Sequence, residues 1–200
     1  MTYRRKDAHY RRAQAAGYRA RSAYKLIELD ERYRLLRPGD YVVDLGAWPG
    51  GWLQVIVERV GVTGRVVGVD RVAITPLPAP NVHLLVGDVQ ETATVAQVRD
   101  LLGKPADVVL SDLAPKLTGV RATDEARCAE LNRETIAQLP MLLRPGGRFL
   151  MKLFMQPDHE DLLRTLRGSF REVSLTKPEA TRRGSAELYV VAADYGLKQA

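Results

Sequence analysis

The chain alternates short β-branched runs with amphipathic segments of helical length, and few folds accommodate that rhythm. Strands are expected at Tyr41–Leu45, Arg65–Asp70, Val82–Val86, Asp107–Ser111 and Arg148–Phe154. Helices are expected between them at Gly51–Val60, Thr92–Leu102, 123–143 and 158–167. Right-handed crossovers lay such strands side by side and cover both faces with helices. The fold class is therefore α/β, a Rossmann-like doubly wound sheet, mostly parallel. Glu172–Thr176 and Glu187–Ala193 follow one another with no helix between them, which predicts a hairpin and one antiparallel strand at that end.

A Gly-free and Pro-free stretch from Arg19 to Leu36 precedes the sheet and predicts a helix stopped at Pro38-Gly39, with Lys25 on its polar side. Residues 1–37 hold eleven Lys or Arg against four Asp or Glu, a net of +7, whereas the rest of the chain sums to −1. Five of the eight tyrosines (Tyr3, Tyr10, Tyr18, Tyr24, Tyr33) share that stretch. Cations neutralise phosphates and aromatic rings stack on unpaired bases, so the mixture suits RNA, although a solvated basic helix has the same composition. A single domain is expected: a basic N-terminal helical extension over 1–37 and a catalytic α/β core over 38–200.

No run reaches the ~18 apolar residues of a membrane span, and the first residues are charged, so no membrane association and a cytoplasmic location are expected. Cys128 is the only cysteine and reads as a packing residue; His9, His83 and His159 lack metal-ligand spacing, so no metal is expected.

In doubly wound sheets ligands bind beyond the carboxyl ends of the strands. The first strand runs into Asp44-Leu45-Gly46-Ala47-Trp48-Pro49-Gly50-Gly51-Trp52, a glycine-rich turn that opens a helix but is neither GxGxxG nor a phosphate-binding P-loop. That spacing disfavours a nicotinamide-dependent oxidoreductase. The second strand ends in Asp70, placed to accept from ribose hydroxyls; the third is followed by Gly87-Asp88, placed to reach an adenine edge. Capping of turns is the plainer role for both acids.

DLGAWPGGW, VGVD, GD, SDLAP, MKLF and SAELYVV, in this order and spacing, resemble the FtsJ/RrmJ (RlmE) family of S-adenosylmethionine-dependent ribose 2′-O-methyltransferases over nearly the whole chain. The resemblance implies S-adenosyl-L-methionine as cofactor, held by Asp44, Gly46, Gly50, Gly51, Trp52, Asp70, Asp88 and Asp112. Trp48 departs from the family's usual small residue; it either packs beneath the turn or narrows the cofactor mouth. The resemblance also implies a catalytic tetrad of Lys25, Asp112, Lys152 and Glu187. Singly, each has an ordinary role: Lys25 pairing with Glu28, Asp112 capping a turn, Lys152 snorkelling, Glu187 opening a strand. Together, Asp112 and Lys152 stand at the carboxyl ends of neighbouring strands, and a lysine in a buried strand is costly unless paired or functional.

The implied reaction is methylation of a ribose 2′-hydroxyl, at a uridine of large-subunit ribosomal RNA. It requires alignment and a base, with Lys152 taking or steering the proton. Two lysines beside two acids titrate as a coupled group. The expected partner is RNA, as ribosomal RNA within the large subunit, with no protein partner inferred. Transfer RNA is the alternative substrate, and a non-catalytic RNA-binding protein the alternative class. Arg182 and Arg183 are further candidate phosphate contacts, and removal of residues 1–18 is expected to spare cofactor affinity.

Overall fold

The computed structural model describes residues 8–115, 118–154, 159–181 and 184–196. The first seven residues of the basic segment, with Tyr3, and the pair Arg182 and Arg183 lie outside the described residues. In chain order the elements are α1 (Ala8–Ala15), α2 (Ala23–Tyr33), β1 (Tyr41–Leu45), α3 (Gly51–Val60), β2 (Arg65–Asp70), β3 (Val82–Val86), α4 (Thr92–Leu102), β4 (Ala106–Ser111), α5 (Arg121–Leu142), β5 (Leu143–Phe154), α6 (His159–Ser169), β6 (Phe170–Thr176) and β7 (Glu187–Tyr195).

The sheet order is β3-β2-β1-β4-β5-β7-β6. β1 to β5 pair in parallel, and β7 runs antiparallel to both β5 and β6, so the expected hairpin exists with its second strand inserted inward. Strand order reverses between β1 and β4, where a ligand crevice opens. There Leu45 lies opposite Ser111, and the Asp112 N–H donates to the Leu45 carbonyl at 3.1 Å.

Successive side chains of a strand point to opposite faces. Val43, Leu45, Val67, Val69 and Val109 pack with α4, α5 and α6, whereas Val42, Val66, Val108, Leu110, Leu150, Tyr189 and Val191 pack with α2 and α3. The period of two then assigns Asp44, Asp112, Lys152 and Glu187 to the α2–α3 face as well. One buried sheet face thus carries an apolar centre and a charged rim.

At the opposite end of that face, Arg148 donates to both carboxylate oxygens of Asp40 (2.9 and 2.8 Å) and to the Leu35 carbonyl, with both side chains buried. Removing one partner strands the other charge in an apolar setting. Asp40→Ala is expected to cost about 3–5 kcal/mol of folding free energy, read as a fall in the urea midpoint. A midpoint within experimental error of the wild type would contradict this account.

Candidate active site

α2 is anchored by Ala23, Leu26 and Leu29, all buried against the sheet. The sequence places Lys25 on the polar side of this helix, but only 8% of it is exposed. The partners that make this possible come from the far end of the chain. Its ammonium pairs with the Glu187 carboxylate and lies 3.4 Å from the Tyr189 hydroxyl. Lys152, equally buried on β5, donates to the Asp112 carbonyl at 2.7 Å and lies 3.1 Å from Asp112 Oδ1. Tyr189, directly opposite Lys152 in the β5–β7 register, joins the two pairs: its hydroxyl is 2.9 Å from Asp112 Oδ1 and 2.7 Å from Glu187 Oε1. A phenol has one proton, so it donates to one of these acids at a time.

The four residues of the expected tetrad are thus gathered around a tyrosine that sequence reasoning leaves unmarked. Its signal is present in the spacing Glu187, Tyr189, which places both on one strand face. Burial works to raise the Glu187 carboxyl, but the Lys25 charge, hydrogen bonds from Lys25 and Tyr189, and the Lys152 charge together hold it below the usual range. Burial, then the charges of Asp112 and Glu187 and its bonds to them, push the Tyr189 phenol well up. The cluster is therefore two ammonium–carboxylate pairs bridged by a neutral phenol.

Asp112 also lines a cavity of about 510 Å³ at the switch point, with Gly46, Trp48, Asp70, Arg71, Asp88 and Glu130 among its walls. Gly46 has φ 82°, and a Cβ there would lie 3.1 Å from the Leu113 backbone nitrogen, so the turn can pass only without a side chain. Asp70 accepts backbone N–H groups from Trp48 (3.0 Å) and Val72 (2.9 Å), which leaves each carboxylate oxygen a further lone pair for a ligand. Asp88 accepts from the Gln90 N–H at 3.1 Å and pairs with Arg71, which also donates to Gln90 Oε1. Trp48 stands on the cavity rim with 56% of its surface exposed, so of its two expected placements the structure shows the one at the mouth.

Gly50, Gly51 and Trp52 are not among the residues of that wall and meet the segment before α2 instead. A Cβ on Gly51 would lie 3.0 Å from Ala20 Cβ, one on Gly50 would lie 2.8 Å from Arg19 Nη1, and the buried Trp52 indole donates to the Ser22 carbonyl at 2.9 Å. Asp44 is buried behind the cavity, with no hydrogen-bond partner for either carboxylate oxygen among the described residues. Burial, and after it the charges of Asp112 and Asp70, push its carboxyl well above the usual range.

Of the four wall carboxylates, Asp88 is offset by Arg71 and Asp112 by Lys152, which leaves Asp70 and Glu130 against Arg127, an excess of negative charge. Such a wall suits a positively charged ligand and opposes a pyrophosphate. Among the described residues no group of His, Cys, Asp or Glu side chains could hold a metal ion, and no helix is long and apolar enough to cross a membrane.

The fold recurs in solved structures. A Plasmodium falciparum protein described as a ribosomal RNA methyltransferase superposes with a TM-score of 0.81 at 28% identity, covering 90% of this chain and all of that one. Aeropyrum pernix fibrillarin, crystallised with bound S-adenosyl-L-methionine, superposes at 0.60 with 16% identity over 88% of this chain and 75% of that one. The architecture is that of S-adenosylmethionine-dependent methyltransferases. Within that class the chain belongs to the FtsJ-like methyltransferase family, whose model matches residues 18–195. Curated relatives named ribosomal RNA large subunit methyltransferase E include those of Methanobrevibacter smithii (41% identical; 96% of this chain, 92% of the relative) and Azoarcus sp. (46%; 94% and 91%).

Asp44 supplies a test of this electrostatic picture. An acid whose pKa is raised by folding holds its proton more tightly folded than unfolded, so stability falls as pH climbs from about 4, the ordinary aspartate value, to the raised value, and is level above it. Asp44→Asn removes that titration. The stability of the variant minus that of the wild type, from urea midpoints between pH 4 and 8, is expected to grow with pH; parallel curves would show that Asp44 is ionised in the folded protein.

Proposed function

We propose that this protein transfers a methyl group from S-adenosyl-L-methionine to a ribose 2′-hydroxyl in RNA, at a uridine of large-subunit ribosomal RNA. The observation that carries the reading is the junction at Asp112, which belongs both to the acid-lined cavity and to the buried lysine–acid cluster. The names of the curated relatives support ribosomal RNA as substrate over transfer RNA. A cytoplasmic location and action on RNA within the assembled large subunit are part of the reading.

The residues fit the cofactor: Asp70 and Asp112 provide the negative surroundings that a cationic group requires, and behind them the buried Asp44 carboxyl has both oxygens without a hydrogen-bond partner among the described residues. Asp70 would hold the ribose hydroxyls, Asp88 the adenine edge, Asp44 and Gly46 the region near the charged sulfur, and Gly50, Gly51 and Trp52 would shape the turn from behind. When bound, S-adenosylmethionine supplies an electrophilic methyl group on a positively charged sulfur. In the exchange the O–CH3 bond forms as the S–CH3 bond breaks, the sulfur keeps the electron pair, and the hydroxyl proton must leave.

Lys152 is the residue assigned to that proton. Lys152 donates to the Asp112 carbonyl and lies beside the Asp112 carboxylate, so as an ammonium it steers the hydroxyl by donating to it, and it takes the hydroxyl proton only after releasing one of its own to solvent. Asp112 orients Lys152 from the cavity side, whereas Lys25 and Glu187 hold Tyr189 and close the cluster on the α2 side. Water is largely kept from the two lysines, which are buried where α2 packs Leu26 and Leu29 on the same sheet face.

The N-terminal stretch is assigned to RNA. Arg11 and Arg12 are exposed on α1, and the Arg12 guanidinium lies 4.7 Å from the centre of the Tyr24 ring, one residue from Lys25. Substituting both, Arg11→Gln with Arg12→Gln, is expected to weaken RNA binding and to flatten the dependence of log K on log salt by about 0.7 for each phosphate no longer neutralised. An unchanged slope would remove these residues from the interface.

The decisive experiment is transfer of labelled methyl to large subunits, stripped large-subunit RNA and transfer RNA, with nucleoside analysis of the product. Lys152→Ala is expected to bind S-adenosylhomocysteine like the wild type while transfer falls by at least about 10²-fold, the usual scale of proton-transfer catalysis. Full activity in this variant would end the assignment, and label confined to transfer RNA would move the substrate.

A further inference from the structure

Arg19 lies in the basic N-terminal stretch, yet its guanidinium is committed inward. Nη1 donates to the carbonyls of Thr75 and Pro49, the latter at 3.4 Å, and Nη2 to that of Pro76 at 2.8 Å. Its own N–H donates to Gln54 Oε1 at 2.8 Å, and Gln54 Nε2 donates to the Gly17 carbonyl at 2.9 Å. Tyr18 donates to Glu58 at 2.9 Å and the Ser22 carbonyl accepts from Trp52, so the segment is tied along α3 on both sides of Arg19.

The two carbonyl sources matter. Pro49 belongs to the turn after β1, and Thr75 and Pro76 to the loop after β2. These are also the segments that hold Asp70, through the Trp48 and Val72 N–H groups. One planar cation therefore spans the backbone on both sides of the acid assigned to the ribose. Gly50, at φ 105°, leaves no room for a side chain between the turn and this cation. A lysine could satisfy the charge and reach the carbonyls that Nη1 serves, but it has no second nitrogen fixed in the same plane for the Pro76 carbonyl, so it cannot hold all three at once.

We infer that Arg19 is a positioning residue for the cofactor-binding turn, and that through it the segment joining α1 to Lys25 couples RNA capture to cofactor affinity. The inference rests on the function proposed above for the identity of both ligands. Coupling of this kind is reciprocal: RNA tightens the cofactor by the factor by which the cofactor tightens RNA. It also revises the expectation that residues 1–18 are separable from cofactor binding, since Gly17 and Tyr18 are part of the tie.

The test is calorimetric titration of S-adenosylhomocysteine into the full chain, with and without stripped large-subunit ribosomal RNA, for the wild type, Arg19→Lys and Arg19→Ala. In the wild type, RNA is expected to tighten S-adenosylhomocysteine binding about fivefold or more, the low end of ordinary coupling. Arg19→Lys, which keeps the charge and stem, is expected to bind S-adenosylhomocysteine several-fold more weakly and to lose the RNA effect. Its KM for S-adenosylmethionine should rise while kcat at saturation stays within about threefold and the melting temperature stays near that of the wild type, a split that a loss of folded protein would not produce. Wild-type affinity in Arg19→Lys, or an RNA effect of undiminished size, overturns the inference, as does a wild type indifferent to RNA. Should Arg19→Ala fail to fold, Arg19→Lys alone decides. Failure of methyl transfer to every RNA, with S-adenosylhomocysteine binding intact, would fall on the proposed substrate and leave the affinity ratios to judge Arg19.

Discussion

An ammonium group enclosed between a helix and a sheet must meet its counter-charge where it lies, because water is not there to provide one. Two lysines are in that position here. Lys25 is carried inward by a helix whose leucines pack on the sheet, and Lys152 is carried there by the alternation of β5. Everything around them answers that demand: Glu187 and Asp112 supply the charges, and Tyr189 supplies a proton shared between them. Buried pairs of this kind add little net stability, since desolvation consumes most of the attraction. Their worth lies in fixing two nitrogens in place on an otherwise apolar face.

The second electrostatic region has the opposite character. Carboxylates crowd the switch point, and burial with the charges of Asp112 and Asp70 pushes the Asp44 carboxyl behind them, unpartnered among the described residues, well up. Asp112 is the single residue common to both regions. A cavity with an excess of carboxylates and a charge-balanced cluster thus meet across one side chain; on the function proposed above, these are the donor and acceptor sides of one reaction.

Much of this could be read from the chain, and the exceptions have physical causes. β1, α3, β2, β3 and α4 fall where periodicity places them, because β-branched runs bounded by Gly, Pro and Asp leave one solution. β5 starts five residues earlier than expected: Pro145-Gly146-Gly147 has the composition of a turn, but Leu143 still pairs with Ala106 across an irregularity in the ladder. The basic stretch holds a separate short helix, α1, before α2. At the site, Asp112 and Lys152 are legible because an ionised group ending an apolar strand is conspicuous. Tyr189 is not, since an aromatic residue within an apolar run looks like ordinary core. Arg19 is hidden by its company: among so many cations a guanidinium reads as a phosphate ligand, and only coordinates reveal that its donors are spent on carbonyls. The glycine-rich turn announces close approach, but spacing alone does not tell whether the approaching group is a ligand or, as at Gly50 and Gly51, the protein's own N-terminal segment.

β7, the last of the described strands, lies between β5 and β6 instead of at an edge. During synthesis the sheet therefore waits with a gap until that strand arrives, and Lys25 lacks this counter-ion until Glu187 emerges 162 positions later. Pairings of such sequence separation form late and slowly. A nascent chain can assemble the acid-lined cavity from β1 to α5 before it possesses a complete cluster, so the two halves of the site are finished in sequence and the cluster waits on β7.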